Sequence, residues 1–184
     1  MGDTLPSADD VLGYWFDELS PRQWFRKDIE LDAQIGQRFF GLHRAAAAGE
    51  LWSWRQSATG RLAEILVLDQ FSRNLFRDLP GAFAQDPMAL VLAQEAVAQG
   101  LDQELDVSER AFLYMPYMHS ESLKIHDEAL RLFDQPGLED NLDFEQRHRD
   151  IILRFGRYPH RNAILGREST GEELAFLMEP GSSF

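Results

Sequence analysis

No cysteine occurs among the 184 residues. That excludes disulfides, thiolate metal sites and a cysteine nucleophile. No apolar run approaches the roughly 20 residues that a membrane-spanning helix needs, so no membrane partner is expected. Lysine is nearly missing: Lys27 and Lys124 stand against 16 Arg. The formal net charge is −13, so the chain lacks the basic footprint that a phosphate backbone requires, and no nucleic acid is expected. Val, Ile and Thr are sparse and nothing alternates for long, which leaves no strand to be read. There is no Gly-rich phosphate loop, no Gly-x-Ser-x-Gly elbow and no His-x-x-x-His pair. Phosphate-loop, nucleophile-elbow and zinc or iron chemistry are therefore not expected, and no metal or cofactor is. No Pro/Gly/Ser linker, low-complexity tract or 34-residue repeat divides the chain. The opening MGDTLPSADD lacks the basic and apolar regions of a secretory signal. Pro6 also stands where a myristoylation signal wants Ser or Thr. The expectation is one cytoplasmic domain spanning residues 1–184, long enough to bury roughly 70% of its unfolded surface. Nothing in the chain decides its oligomeric state.

What remains is helical almost throughout. Ser7-Ala8-Asp9-Asp10 reads as a capping box ahead of VLGYWF. A long amphipathic helix runs from Asp28 through Ile29, Ile35, Phe39 and Leu42 to near Gly49. A third covers 61–77 and stops before LPG. Asp86-Pro87 reads as an N-cap with Pro at the first helical position, and Gly100 ends that helix. Ser108 opens a fifth, which Pro116 must kink or restart, because it cannot donate to the carbonyl of Phe112. Asn141 or Asp143 opens another that Gly156 caps, and Ser169 to Glu172 cap a last one. Antiparallel helix pairs joined by short turns are the natural packing for about seven to nine such helices.

Several polar residues sit where core residues belong. In RLAEILVLDQFSRNLFR, Asp69 and Arg73 fall on the face marked by Leu62, Ile65 and Leu66, four apart, so they can pair along the helix. Asn74 adjoins them and Arg77 follows one turn on. An unpaired buried charge costs several kcal/mol, so these groups need partners, whether a structural network or an anionic ligand. After Pro116 come His119, Ser120 and Glu121. In an unbroken helix, His119 and Glu121 point about 200° apart, so only a distortion or all-round burial lets them serve one pocket. His148 lies among Phe144, Ile151, Ile152 and Phe155, where a lone histidine is usually a satisfied core residue. GRYPHRN then offers Arg157, His160, Arg161 and Asn162 on a loop constrained by Pro159, either as an anion clamp or as a latch onto helix ends. From Arg147 to Arg167 there are six Arg and one Asp, a local excess of five positive charges in an acidic chain. Trp15, Phe16, Trp24 and Phe25 read as core before pocket wall.

The segments VLGYWF, Trp24-Phe25, LDQFSRNLFR, Ala82-Phe83 with Asp86, FLYMPYMHSE, His148 to Ile152, and RFGRYPHRN with LGR occur in an order that resembles a bacterial family of unknown function, family 924 of the domains of unknown function. The resemblance spans nearly the whole chain. It implies an all-α fold similar to compact, right-handed tetratricopeptide-like superhelices, and it implies no activity. Ser72 stands where the family more often has Pro, which should leave that helix straighter, and Tyr158 where Phe is usual. Three readings follow. A pocket for a small anionic molecule, carboxylate or phosphate, would use Asp69, Arg73, Asn74, Arg77, Arg157, Arg161 and Asn162 for binding. His119 or His160, with Glu121, would serve as acid and base. A tetratricopeptide-like scaffold would instead bind a peptide or protein partner. In the third reading the polar motifs only hold the fold together.

Overall fold

The computed structural model describes residues 4–184. Met1–Asp3, part of the acidic opening stretch, lie outside the described residues. Among these every regular element is helical and no strand occurs. None of the helices is long and apolar enough to cross a membrane. The chain gathers into two compact units. The first runs to Arg77 and takes in Gly81–Pro116; the second comprises Asp78–Pro80 and Tyr117–Phe184.

In the first unit, α1 (Ala8–Leu12) starts at the expected capping box: Ser7 Oγ accepts from Asp10 N at 3.2 Å and the Asp10 carboxylate accepts from Ser7 N at 2.7 Å. It widens into a π turn over Gly13–Glu18 that buries Tyr14 and Trp15. A short α2 (Pro21–Trp24) follows. Asp28 then caps α3 (Ile29–Ala47) through the N–H groups of Glu30 and Leu31. Leu31, Ile35, Phe39, Leu42 and Ala46 bury one stripe of α3 at helical spacing. The central helix begins as α4 (Ala58–Leu66), passes through a π turn (Val67–Phe71) and closes as α5 (Ser72–Leu75). Every residue from Ala58 to Ser72 except Thr59 is buried. The absence of Pro at 72 does not leave a regular helix. The Ser72 hydroxyl donates to Leu68 O at 2.5 Å, beside the π turn, a back-bond of the kind that bends helices.

Four helix starts differ from the sequence reading. The central helix opens at Ala58, three residues ahead of Arg61. The helix of residues 107–118 opens behind Asp106, whose carboxylate accepts from Glu109 N at 2.8 Å, so Ser108 lies inside it and does not cap it. α6 (Asp86–Ala98) is preceded by Gln85 and has no side-chain cap; Asp86 is its first residue, because Arg73 takes its carboxylate. α9 (Glu139–Phe155) begins ahead of Asn141, because the Glu139 side chain folds back to accept from Gly137 N at 3.1 and 3.0 Å. α7 (Val107–Met118) contains Pro116 and ends two residues after it; α8 (Leu123–Phe133) restarts behind Ser122. Within the second unit α8 and α9 pack along each other as a helical hairpin. Gly156 ends α9 at φ 70°, a left-handed conformation that suits glycine. α10 (Gly171–Phe176) starts at a Thr170–Glu173 capping box, one residue after Ser169.

Candidate functional site

In the first unit the central helix sets out Asp69, Arg73, Asn74 and Arg77, and other helices answer them. Arg73 forks onto Asp86, Nη1 to Oδ1 at 2.9 Å and Nη2 to Oδ2 at 3.1 Å. Its Nη1 also donates to Asp69 O at 2.9 Å and lies 3.3 Å from the Asp69 carboxylate, the pair expected from their spacing. Asp69, 1% exposed, accepts from Gln70 Nε2 as well. Arg77 forks onto Asp32 of α3 at 2.6 and 2.7 Å, and Asn74 donates to the same carboxylate at 2.8 Å. Two guanidinium groups thus face three carboxylates. The positive charge expected here is met by the chain's own acids, and the cluster ties α3 and α6 to the central helix.

The second unit brings the other candidates around one ring. Tyr158 is fully buried, its hydroxyl donating to Met118 O at 2.5 Å. The Arg161 guanidinium lies 4.7 Å above its ring centroid and donates to His119 O at 3.0 Å. The His148 and His160 rings lie 5.9 and 5.7 Å from the Tyr158 ring. The Phe184 ring packs on all three, 3.8 Å from His148, 4.6 Å from His160 and 5.2 Å from Tyr158. Helix α7 ends before His119, and residues 119–122 leave helical geometry, so that the His119 carbonyl and the Glu121 carboxylate both meet this segment. Glu121 accepts from Tyr158 N at 2.7 Å and from Arg167 at 2.7 and 2.9 Å. Burial pushes its pKa up, but these bonds and the charges of Arg161 and Arg167 outweigh it and hold Glu121 below the ordinary carboxylate range.

The rest of the loop is cross-braced. Arg157 forks onto Glu173 at 2.7 and 2.8 Å, and Asn162 donates to that carboxylate at 3.2 Å while accepting from Arg167 Nε. The Arg157 hydrogen bonds lead in lowering the pKa of Glu173 to about 2. Behind Tyr158, His126 and Glu145 form a fully buried pair, Nδ1 to Oε1 at 2.5 Å, with His126 Nε2 2.7 Å from Ser120 O. A carbonyl only accepts, so that Nε2 carries a proton. The pair therefore shares one further proton between Nδ1 and a carboxyl whose pKa burial raises. Burial also lowers the pKa of His148 to about 3, leaving a neutral imidazole whose Nδ1 bonds to Phe144 O.

Asp32, Glu145, Glu173, Arg167 and Phe184 were missed from sequence. Each pairs with a residue far along the chain, and only the i, i+4 step of Asp69 and Arg73 is a local signal. Among the described residues no group of three or more His, Asp or Glu side chains is placed to hold a metal. Of the four aromatics expected as core, Trp15 is buried and meets Phe112 edge-on at 5.5 Å, Phe16 and Trp24 are half-buried, and Phe25 is not core: it is 68% exposed and lies flat on Phe112 at 6.0 Å.

Compared with known proteins, residues 11–181 match the family described as "Bacterial protein of unknown function (DUF924)". The fold is similar to a solved structure of a protein of unknown function from Agrobacterium tumefaciens. The two are 41% identical, with a TM-score of 0.89 over 93% of this chain and 96% of that one. A search of curated proteins gave no match.

Proposed function

The chain belongs to the bacterial family of unknown function DUF924, and from that premise we propose that its second unit binds a small anionic molecule beside Tyr158. The carrying observation is convergence. His148, His160 and Arg161 lie 4.7–5.9 Å from the centre of the Tyr158 ring, the Glu121 carboxylate accepts from Tyr158 N, and the His119 carbonyl accepts from Arg161, so three separate segments meet here. Arg161 presents a planar cation suited to a carboxylate or phosphate. His160 and His119 are half-buried and supply groups able to hold or give a proton. Glu121, kept ionised by Arg167, positions the loop rather than donating a proton. Arg157 and Asn162 brace that loop through Glu173. The expected setting is the cytoplasm, whose metabolite anions are the natural panel.

Thermal melts of the full chain with phosphate and with small carboxylates test this, because a ligand of the native state raises Tm by mass action. At least one anion should raise Tm saturably in the parent and raise it clearly less in His160→Gln. A flat response to the whole panel, or an undiminished one in His160→Gln, sinks the reading. A second reading, a tetratricopeptide-like scaffold for a peptide or protein partner, is favoured by the forks on Arg73, Arg77 and Arg157, which make those motif residues structural. A partner captured by the parent and by His160→Gln alike would support it.

A further inference from the structure

Arg61 differs from every guanidinium described above. It is 9% exposed, and no ion pair or side-chain hydrogen bond within the described residues holds it. Its Nε is buried without a partner. The acid one turn further along, Glu64, is already taken: Arg55 forks onto it at 2.7 Å through both Nε and Nη2, and Glu64 is fully buried. Glu64 is thus engaged by Arg55, and Arg61, three residues earlier on the helix, has no carboxylate partner among the described residues.

Its position in α4 deepens the imbalance. Arg61 lies in the first turns of the helix, just after Ser57 caps it by accepting from Gly60 N at 3.0 Å. The start of a helix carries roughly half a positive charge, so a cation there sits at the unfavourable end and an anion at the favourable one. The turn at Trp52–Gln56 is pressed against this start, because Gly60 has no side chain: a Cβ would stand 2.1 Å from Trp54 O. Keeping a guanidinium nine-tenths buried, its Nε without a partner, and without a counter-charge is costly, and an anion from solution reduces that cost.

We propose that Arg61 anchors an oxyanion site at the start of α4, which takes the carboxylate or phosphate group of a small molecule. The planar fork of Arg61 supplies paired donors, and the positive end of α4 adds to its field. The site shares no residue with the cluster around Tyr158 and does not depend on that cluster binding anything.

The test is a set of melts of the full chain at constant ionic strength, with chloride exchanged for millimolar inorganic phosphate in one arm and acetate in another. In the parent, one or both oxyanions should raise Tm saturably by several degrees. The arm that responds identifies the oxyanion. Arg61→Met should lose at least part of that rise. In chloride alone it should melt no lower than the parent, since it removes an uncompensated buried charge. Arg61→Gln, which keeps a polar tip, serves the same comparison if the methionine variant fails to fold. His160→Gln should keep the part of the rise that Arg61→Met loses, which separates this site from the one beside Tyr158. Three results overturn the proposal: no response in the parent; an equal response in the Arg61 variants, as from a general salt effect; or a rise that vanishes in His160→Gln but survives at Arg61.

Discussion

Asp32 decides what Arg77 and Asn74 do. It accepts from both, and the three side chains close one junction between α3 and the central helix. Arg77→Ala should cost about 1–3 kcal/mol, because it leaves a half-buried carboxylate with Asn74 as its remaining donor here. Asp32→Ala should cost a similar amount. The double variant should cost clearly less than the sum, in urea unfolding, since the two singles break one interaction. Additive costs would show that the pair is not coupled. At this scale the Asp69–Arg73 pair was legible in the sequence, because a helix fixes i, i+4 neighbours. Asp32 and Asp86 were not, because carboxylates 45 and 13 residues away from their arginines have no local mark. His148 makes a second prediction. Its pKa is 6.5 when unfolded and about 3 in the fold. The unfolded chain therefore binds the extra proton in that window, and stability falls as pH drops from 6.5 toward 3, with a slope of about 1.4 kcal/mol per pH unit. His148→Met should flatten that slope in urea titrations at several pH values; an unchanged slope would mean the imidazole protonates freely.

Helix ends show what kind of signal a sequence carries. Ser7, Asp28 and Gly156 act as caps where they were expected, because capping is a contact within four residues. Asp86 matched the same chemistry and failed, because Arg73 competes for its carboxylate. A kink or restart was expected at Pro116; the helix instead runs through it and breaks at residues 119–122. That the His119 carbonyl and the Glu121 carboxylate then meet the 157–162 loop was not expected, since it depends on how the chain leaves the helix. Gly60 sets two effects against each other. Alanine gains about 1 kcal/mol over glycine inside a helix, but here its Cβ would stand 2.1 Å from Trp54 O. A clash with backbone cannot be relieved by turning a side chain, and overpacking of about 1–3 kcal/mol should win. Gly60→Ala is therefore expected to lower Tm; a rise would mean that the Trp52–Gln56 turn moves away freely.

Across the whole molecule, the fold redistributes a charge pattern that the linear order exaggerates. From Arg147 to Arg167 the sequence holds an excess of five positive charges. Acids outside that stretch cancel most of it: Arg147 meets Asp143, Arg149 meets Asp127, Arg154 meets Glu172, Arg157 meets Glu173, and Arg167 meets Glu121. Arg161 instead lies over Tyr158 and on the His119 carbonyl. The all-helical class was legible because periodicity and missing strand signals are properties of the whole chain, and the Agrobacterium structure shares it over nearly its full length. The neutralised basic stretch was not, since it needs the fold to bring the acids in. Acid unfolding should report this pairing. Glu173 carries a folded pKa near 2 against an ordinary 4.5, so its contribution is complete above 4.5 and is lost as pH falls toward 2. Glu173→Gln should lower stability at neutral pH and remove part of the acid limb below pH 4.5. A variant that tracks the parent at every pH would show that the Arg157 fork contributes nothing.

The π turn at Val67–Phe71 amounts to one surplus residue wound into an otherwise regular coil. Excising a single residue there would rewind the coil and swing everything after it by about 100°. Arg73, Asn74 and Arg77 would then point away from the aspartates that now receive them. A lone codon lost from this segment should therefore be far more damaging than most point substitutions in it.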